Sequence, residues 1–177
     1  MGQPTPHDPA ALLLAVISRY EEALAWTVER ATAAWGPVAL RSDSFAFDET
    51  DYYETTMGPG LKKTFLAFER LADPAAVADW KFLTNAWEDE YAALGRHAEP
   101  RPLNLDPGYI TPAKLVLAST KDHAHRIYLG RGMYAEITLF YRGGVWRSHE
   151  WTFPDYRRAD YQAFFTTVRE FRRKAAR

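Results

Sequence analysis

The chain has 177 residues, of which 47% are hydrophobic and 15% aromatic, enough apolar surface for a core and far from the composition of disordered chains. Its 22 Lys and Arg nearly cancel 23 Asp and Glu, so no bulk charge draws it to nucleic acid or to an anionic membrane. With no cysteine in the chain, disulfides, thiolate catalysis and cysteine-ligated zinc or iron–sulfur centres are excluded.

The opening MGQPTPHDPAALLLAVISRYEE has a short apolar run, Ala10 to Ile17, with no Lys or Arg before it and charged residues just after. That is not a signal peptide pattern, and Pro6 stands where a myristoylation motif wants Ser or Thr. No run approaches the roughly 20 residues that cross a bilayer. A soluble, cytoplasmic protein with no membrane contact is expected, a single domain over 1–177 with a loose start at 1–10.

Ala11 to Ile17, nearly all apolar, predicts a central strand buried on both faces. Ser18 to Glu21 fits a capping box, Leu24, Val28, Ala31 and Trp35 recur at helical spacing, and Gly36-Pro37 supplies the stop. Val38 to Phe47 and Leu61 to Leu71 read as two strands joined by the acidic loop DETDYYETTMGPG. Asp73-Pro74 predicts a helix start, with Val77, Trp80, Thr84, Trp87, Tyr91 and Leu94 on one face. Arg101 to Asp106 is expected to be the fourth strand. Residues 11–106 thus spell β-α-β-β-α-β, the ferredoxin-like order, in an α+β fold.

Residues 107–177 read as an extension. Asp106-Pro107-Gly108-Tyr109 carries a turn signal. Thr111-Pro112 resembles another helix start and predicts a short helix to about Ser119, with a strand as the rival reading. Arg126 to Leu129 is expected to be a strand, and Tyr134 to Tyr141 with Val145 to Phe153 a hairpin about Arg142-Gly143-Gly144. Alternation would put Tyr134, Glu136, Thr138 and Phe140 on one face and Ala135, Ile137, Leu139 and Tyr141 on the other. Tyr161, Phe164, Phe165, Val168 and Phe171 mark a last helix, with Arg169, Arg172, Arg173 and Lys174 complementing its dipole.

Several of these blocks are familiar as well as readable. FAFDETDYYETTMGPGLKKTFLAFERL, FLTN at Phe82 to Asn85, NLDPGYITPAKLVLASTKDHAHRIYLG, YAEITLFY and WTFPDYR occur in one order. In them the chain resembles, over nearly its full length, the bacterial family called domain of unknown function 4416. The resemblance implies no established activity. Some members carry a GTP-binding label, but this chain has neither a GxxxxGK[ST] loop nor a GxGxxG turn. Phe153, where the family tends to show Tyr, and Trp80 are apolar exchanges without mechanistic consequence.

Three polar groups invite chemistry. Lys114, Lys121 and His125 would share one face if the predicted helix ran on, and with Arg126 could hold a phosphate or carboxylate; the plainer alternative is a solvated helix edge. Asp43, Asp48, Glu49, Asp51 and Glu54 suit a hard cation such as magnesium, but match no EF-hand spacing, and a solvated loop holding Tyr52 and Tyr53 is the preferred reading. Glu136 would pair with Arg126 structurally or serve as an acid or base. A metal site built from His123, His125 and Glu136 is the less favoured reading. The candidate ligand-binding residues are therefore Lys114, Lys121, His125, Arg126, Glu136, Asp106 and Tyr109, with no catalytic or metal ligand set. The expectation is a protein that binds an anionic small molecule, a nucleotide or another phosphorylated or carboxylated metabolite, with or without turnover. The alternative is a protein- or RNA-interaction module, although neither net charge nor an RNP-like motif indicates nucleic acid.

Overall fold

In the computed structural model, which describes residues 2–176, the first strand, β1 (Ala10–Ser18), is buried at every position. An unbroken apolar strand needs cover on both faces. Leu12, Leu14 and Val16 pack with α1 (Glu21–Trp35) and α3 (Val77–Ala93), while Ala11, Leu13 and Ala15 pack with α4 (Ala159–Ala175). A sheet therefore lies between two helical layers.

The neighbours of β1 are β4 (Lys62–Ala72) and β5 (Asn104–Ile110). Beyond β4 lies β2 (Val38–Arg41), with the two-residue β3 (Phe45–Ala46) also on β4. Beyond β5 come β6 (Lys114–Ser119), β8 (Met133–Arg142) and β7 (Ile127–Gly130), and β9 (Val145–Ser148) pairs with β8. All eight pairings are antiparallel. The protein is thus a mixed α and β fold, with one nine-stranded sheet and four α-helices among the described residues. No helix among the described residues is long and apolar enough to cross a membrane. Met1, part of the myristoylation reading, lies outside the described residues.

Several expected elements change. The short helix predicted over 112–119 is a strand, β6, and the rival reading holds. The Thr-Pro signature is real but closes a β-turn: Thr111 Oγ1 accepts hydrogen bonds from the backbone N–H groups of Ala113 and Lys114, each 3.1 Å away. The same hydroxyl geometry serves a helix cap or a turn. The predicted turn at Asp106 to Tyr109 lies inside β5, which starts and ends later than the expected Arg101 to Asp106. The capping box at Ser18 does not form; its hydroxyl donates to the Pro102 carbonyl at 2.7 Å and helix α1 starts behind Tyr20 without a side-chain cap. Val38 to Phe47 breaks into β2 and β3, and Leu94 falls outside the buried stripe of α3. The second hairpin strand stops at Ser148 rather than Phe153. Its two-residue Gly143-Gly144 turn, with φ of 63° and 81°, is the left-handed pair that a tight hairpin demands.

The face assignment in β8 also changes. Leu115 pairs with Leu139 but Val116 with Ile137, so Thr138 is an inserted residue. Such a bulge reverses the alternation. Ile137 is 39% exposed and Leu139 fully buried, and Glu136, opposite Leu117, shares the α4 face with Leu139 rather than opposing it. His123 and His125 are not on a strand; both precede β7 in a loop, and their rings stack with centroids 5.7 Å apart.

The feature that shapes the site is the junction of β5 and β6. Their ladder runs only over Gly108–Ile110 against Leu115–Leu117, although β5 stays paired with β1 down to Asn104. Below Gly108 the two strands part. At the junction itself a Cβ on Gly108 would sit 2.1 Å from the Val116 carbonyl oxygen, so only glycine lets β6 close in. Past it, the Leu105 N–H donates to Glu88 Oε1 (2.8 Å) and the Leu105 C=O accepts from Lys81 Nζ (2.7 Å). Helix α3 thus satisfies the backbone that β6 abandons. Pro107, two residues on, turns its missing N–H toward the same gap, where no strand would receive it.

Candidate functional site

The parting of β5 and β6 opens a cavity of about 470 Å³ on the α4 side of the sheet. Its floor is built by strands: Lys63 lies on β4, in phase with Phe65 and Ala67, and Asn104 and Asp106 lie on β5, in phase with Ile110. Lys81 reaches it from α3 through the gap. The segment 153–156 forms one side, and the end of β6 with the loop after it, Ser119 to Arg126, forms another. Across the top lies the acidic loop.

That loop is packed by its apolar residues. Phe47, Met57 and Leu61 are buried with Ile17, and Tyr53 packs against them; α2 (Glu54–Met57) turns the chain. Asp43, Asp48, Asp51 and Glu54 are exposed, while Glu49 pairs with Arg158 at 2.9 Å. Among the described residues no three acidic or histidine side chains are grouped to hold a metal ion. Tyr52 Oη accepts from Lys121 Nζ at 2.6 Å, tying the loop to the opposite wall. That hydrogen bond lowers the Tyr52 phenol below its ordinary pKa, whereas burial pushes its neighbour Tyr53 up.

Ion pairs organise the interior. Lys63 is held by Asp155, 4% and 3% exposed respectively, and its ammonium lies over the rings of Phe47 and Tyr156 at 4.2 and 4.9 Å. Lys81 Nζ donates to Asp106 Oδ1 at 3.0 Å, and Asn104 Nδ2 to Asp106 Oδ2 at 2.8 Å. Arg101 binds Glu88 Oε2 at 2.8 Å and also donates to Asn104 Oδ1. Burial alone would raise the Asp106 carboxyl, but the Lys81 and Lys63 charges and the hydrogen bonds from Lys81 and Asn104 hold it below the usual range. At Glu88 burial wins over Lys81 and Arg101, and its pKa is raised.

Of the residues singled out by sequence, Asp106, Lys121, Arg126 and Glu136 line this cavity. His125 stands behind Glu136, with Nε2 3.2 Å from Oε2. Glu136 also accepts from Arg126 Nε at 2.8 Å and from Thr138 Oγ1 at 3.1 Å. Both its oxygens are engaged, and Arg126 is steadied further by Ser119 Oγ and the Lys121 carbonyl at 2.7 and 2.9 Å. Lys114 lies at the far end of β6, about 17 Å along the strand from Ser119, and Tyr109 packs on the α1 and α3 side. These two do not join the others.

Sequence reasoning missed Lys63, Lys81, Arg101, Asn104, Tyr156 and Asp155. Two of them left a trace: Lys63 keeps the phase of Phe65, and Lys81 follows Val77 by four residues on the buried helix face. The stack behind the site also went unread. His123, His125, Trp151 and His149 lie ring on ring, with successive centroids at 5.7, 5.3 and 4.5 Å and interplanar angles of 11° or less, bracing the segment that leads to Asp155.

No curated protein and no solved structure matches the chain. A family model described as Domain of unknown function (DUF4416) matches residues 8–171, and the chain belongs to that family.

Proposed function

We propose that the protein binds an anionic small molecule, a nucleotide or another phosphorylated or carboxylated metabolite, in the cavity between the acidic loop and the parted strands. One observation carries this reading: Lys121 stands in the wall with no carboxylate within 4.0 Å among the described residues, while Lys63, Lys81, Arg101 and Arg126 each have one. An unmatched cation beside aromatic rings in a cavity of about 470 Å³ suits a small ligand bearing negative charge. Any turnover would fall to the same cavity, where Lys63, Lys81, Asn104, Glu136, Asp155 and Tyr156 are buried lining residues with polar groups. Thermal shift against phosphorylated and carboxylated compounds tests the reading. A ligand at a hundredfold excess over its Kd raises stability by about 2.7 kcal/mol; no shift with any anion, or an undiminished shift in Lys121→Met, counts against it.

A second reading, a module that binds another protein, is favoured by β7. This strand ends the sheet with Ile127 69% and Tyr128 60% exposed, and such edges invite pairing. It predicts a complex whose formation Ile127→Lys abolishes, measured by sedimentation. RNA is the weaker form of this reading, because the net charge is −1. The strand order β5, β1, β4, β2, all antiparallel and crossed by α1 and α3, supports a ferredoxin-like core for residues 11–106. A cytoplasmic, bacterial setting belongs to the same proposal.

A further inference from the structure

The matching of charges around the cavity limits what its ligand can carry. Lys63 pairs with Asp155, Lys81 with Asp106 and Arg126 with Glu136, which leaves Lys121, near exposed Tyr52, as the place for one anionic group. The interior is matched in charge but not in hydrogen bonds. An ammonium has three N–H donors and a carboxylate about four acceptor sites, yet Lys63 Nζ and Asp155 have each other as their one side-chain partner among the described residues. Glu49 is another lining residue; its Oε1 holds Arg158, and its buried Oε2 has no hydrogen-bond partner among the described residues.

Neutral hydroxyls can use these positions, donating to Asp155 and Glu49 and accepting from Lys63, without separating the buried pair. A second full charge would have to break that pair, which costs far more than it returns in a buried site. Phe47 and Tyr156, already against the Lys63 ammonium, offer apolar ring faces to the C–H side of such a molecule. Resting on the anion-binding reading above, we infer that the ligand is a phosphorylated sugar: its single phosphate meets Lys121, and its uncharged, hydroxyl-bearing body lies at Lys63 and Asp155.

Calorimetry on the full chain tests this with three- to six-carbon sugar phosphates, the corresponding free sugars, inorganic phosphate and nucleoside monophosphates. At least one sugar phosphate is expected to bind roughly tenfold or more tightly than both inorganic phosphate and its own free sugar. Lys121→Met should lower that affinity about tenfold. Glu49→Gln, which keeps the shape of a half-buried side chain and an oxygen for Arg158, should narrow the gap between sugar phosphate and inorganic phosphate several-fold; Asp155→Asn should do so more strongly, with urea unfolding of both variants reporting that they fold. Inorganic phosphate binding as tightly as every sugar phosphate would overturn the ligand class and leave the anion cavity standing. Tight binding confined to compounds with a nucleobase would likewise overturn the class. If no anion in the panel binds, the cavity reading falls with it.

Discussion

From Gly108 to Ile110, β5 is closed against β6 by backbone pairing; from Asn104 to Pro107 the same strand faces side chains of α3. At the closed end the turn at Thr111 ties the strands together and the facing residues, Ile110, Leu115 and Leu117, belong to the apolar core. At the open end the facing residues are Asn104, Asp106 and Ser119, and ion pairs replace the ladder. A sheet can thus hold a cavity without leaving backbone groups unsatisfied. A helix supplies one lysine and one glutamate, seven residues and two turns apart, to stand in for the missing strand.

The closed end should be the harder to disturb without collapse. Gly108→Val would thrust a side chain into the Val116 carbonyl and is expected to cost about 3 kcal/mol or more, read from urea unfolding. A cost under about 1 kcal/mol would mean that the strands part easily there, and the contrast between the ends would be lost. At the open end, Lys81→Met removes the ammonium shared by Leu105, Asp106 and Glu88, with an expected loss of about 3 kcal/mol. Adding Glu88→Gln should cost less than the sum of the single changes. Lys114→Ala, at the closed end and away from these charges, should stay within about 0.5 kcal/mol.

Acid sharpens the same contrast. The native Asp106 pKa is depressed, so its stabilising contribution is complete above the unfolded Asp value, about 3.9, and is lost as pH falls through the lower native one. Glu88 is raised, so its contribution runs the other way, present below about 4.3 and lost as pH rises through the native value. Stability of Asp106→Asn followed against pH should therefore decline less steeply in acid than the parent. Glu88→Gln should decline less on the rise from acid toward neutrality. Parallel curves for parent and variants would show that the open end does not rest on these charges.

How much of this could be seen in the chain itself depends on how local the cause is. Ala11 to Ile17 announces a doubly covered strand because an apolar run has few other places to go. Thr111-Pro112 misleads because one hydroxyl pattern serves two structures, and Asp106-Pro107-Gly108 misleads because its proline and glycine answer to a neighbouring strand rather than to a turn. The extra residue at Thr138 leaves no local mark, yet it decides that Glu136 looks into the cavity. The ion pairs are hidden for another reason: Lys63 and Asp155 lie 92 residues apart, and Lys81 and Asp106 lie 25 apart. A lysine in phase with apolar neighbours signals a buried cation, but only the strand order names its partner.

The smallest expected effect concerns the loop that spans the open end. Tyr52 and Tyr53 are adjacent, with rings nearly perpendicular at 5.0 Å, but they are pushed in opposite directions, Tyr52 down by the hydrogen bond from Lys121 and Tyr53 up by burial. An ultraviolet titration should thus show an early phenol step below about 10. That step should vanish in Tyr52→Phe and move upward in Lys121→Met, with the urea midpoint unchanged in both because the contact is exposed. An early step that survives Tyr52→Phe would detach the loop from the far wall. A bound anion competes for the same ammonium, so saturating ligand should move the Tyr52 step back toward the ordinary phenol value. The loop's hold on Lys121 and the ligand's hold on it are then two readings of one cation.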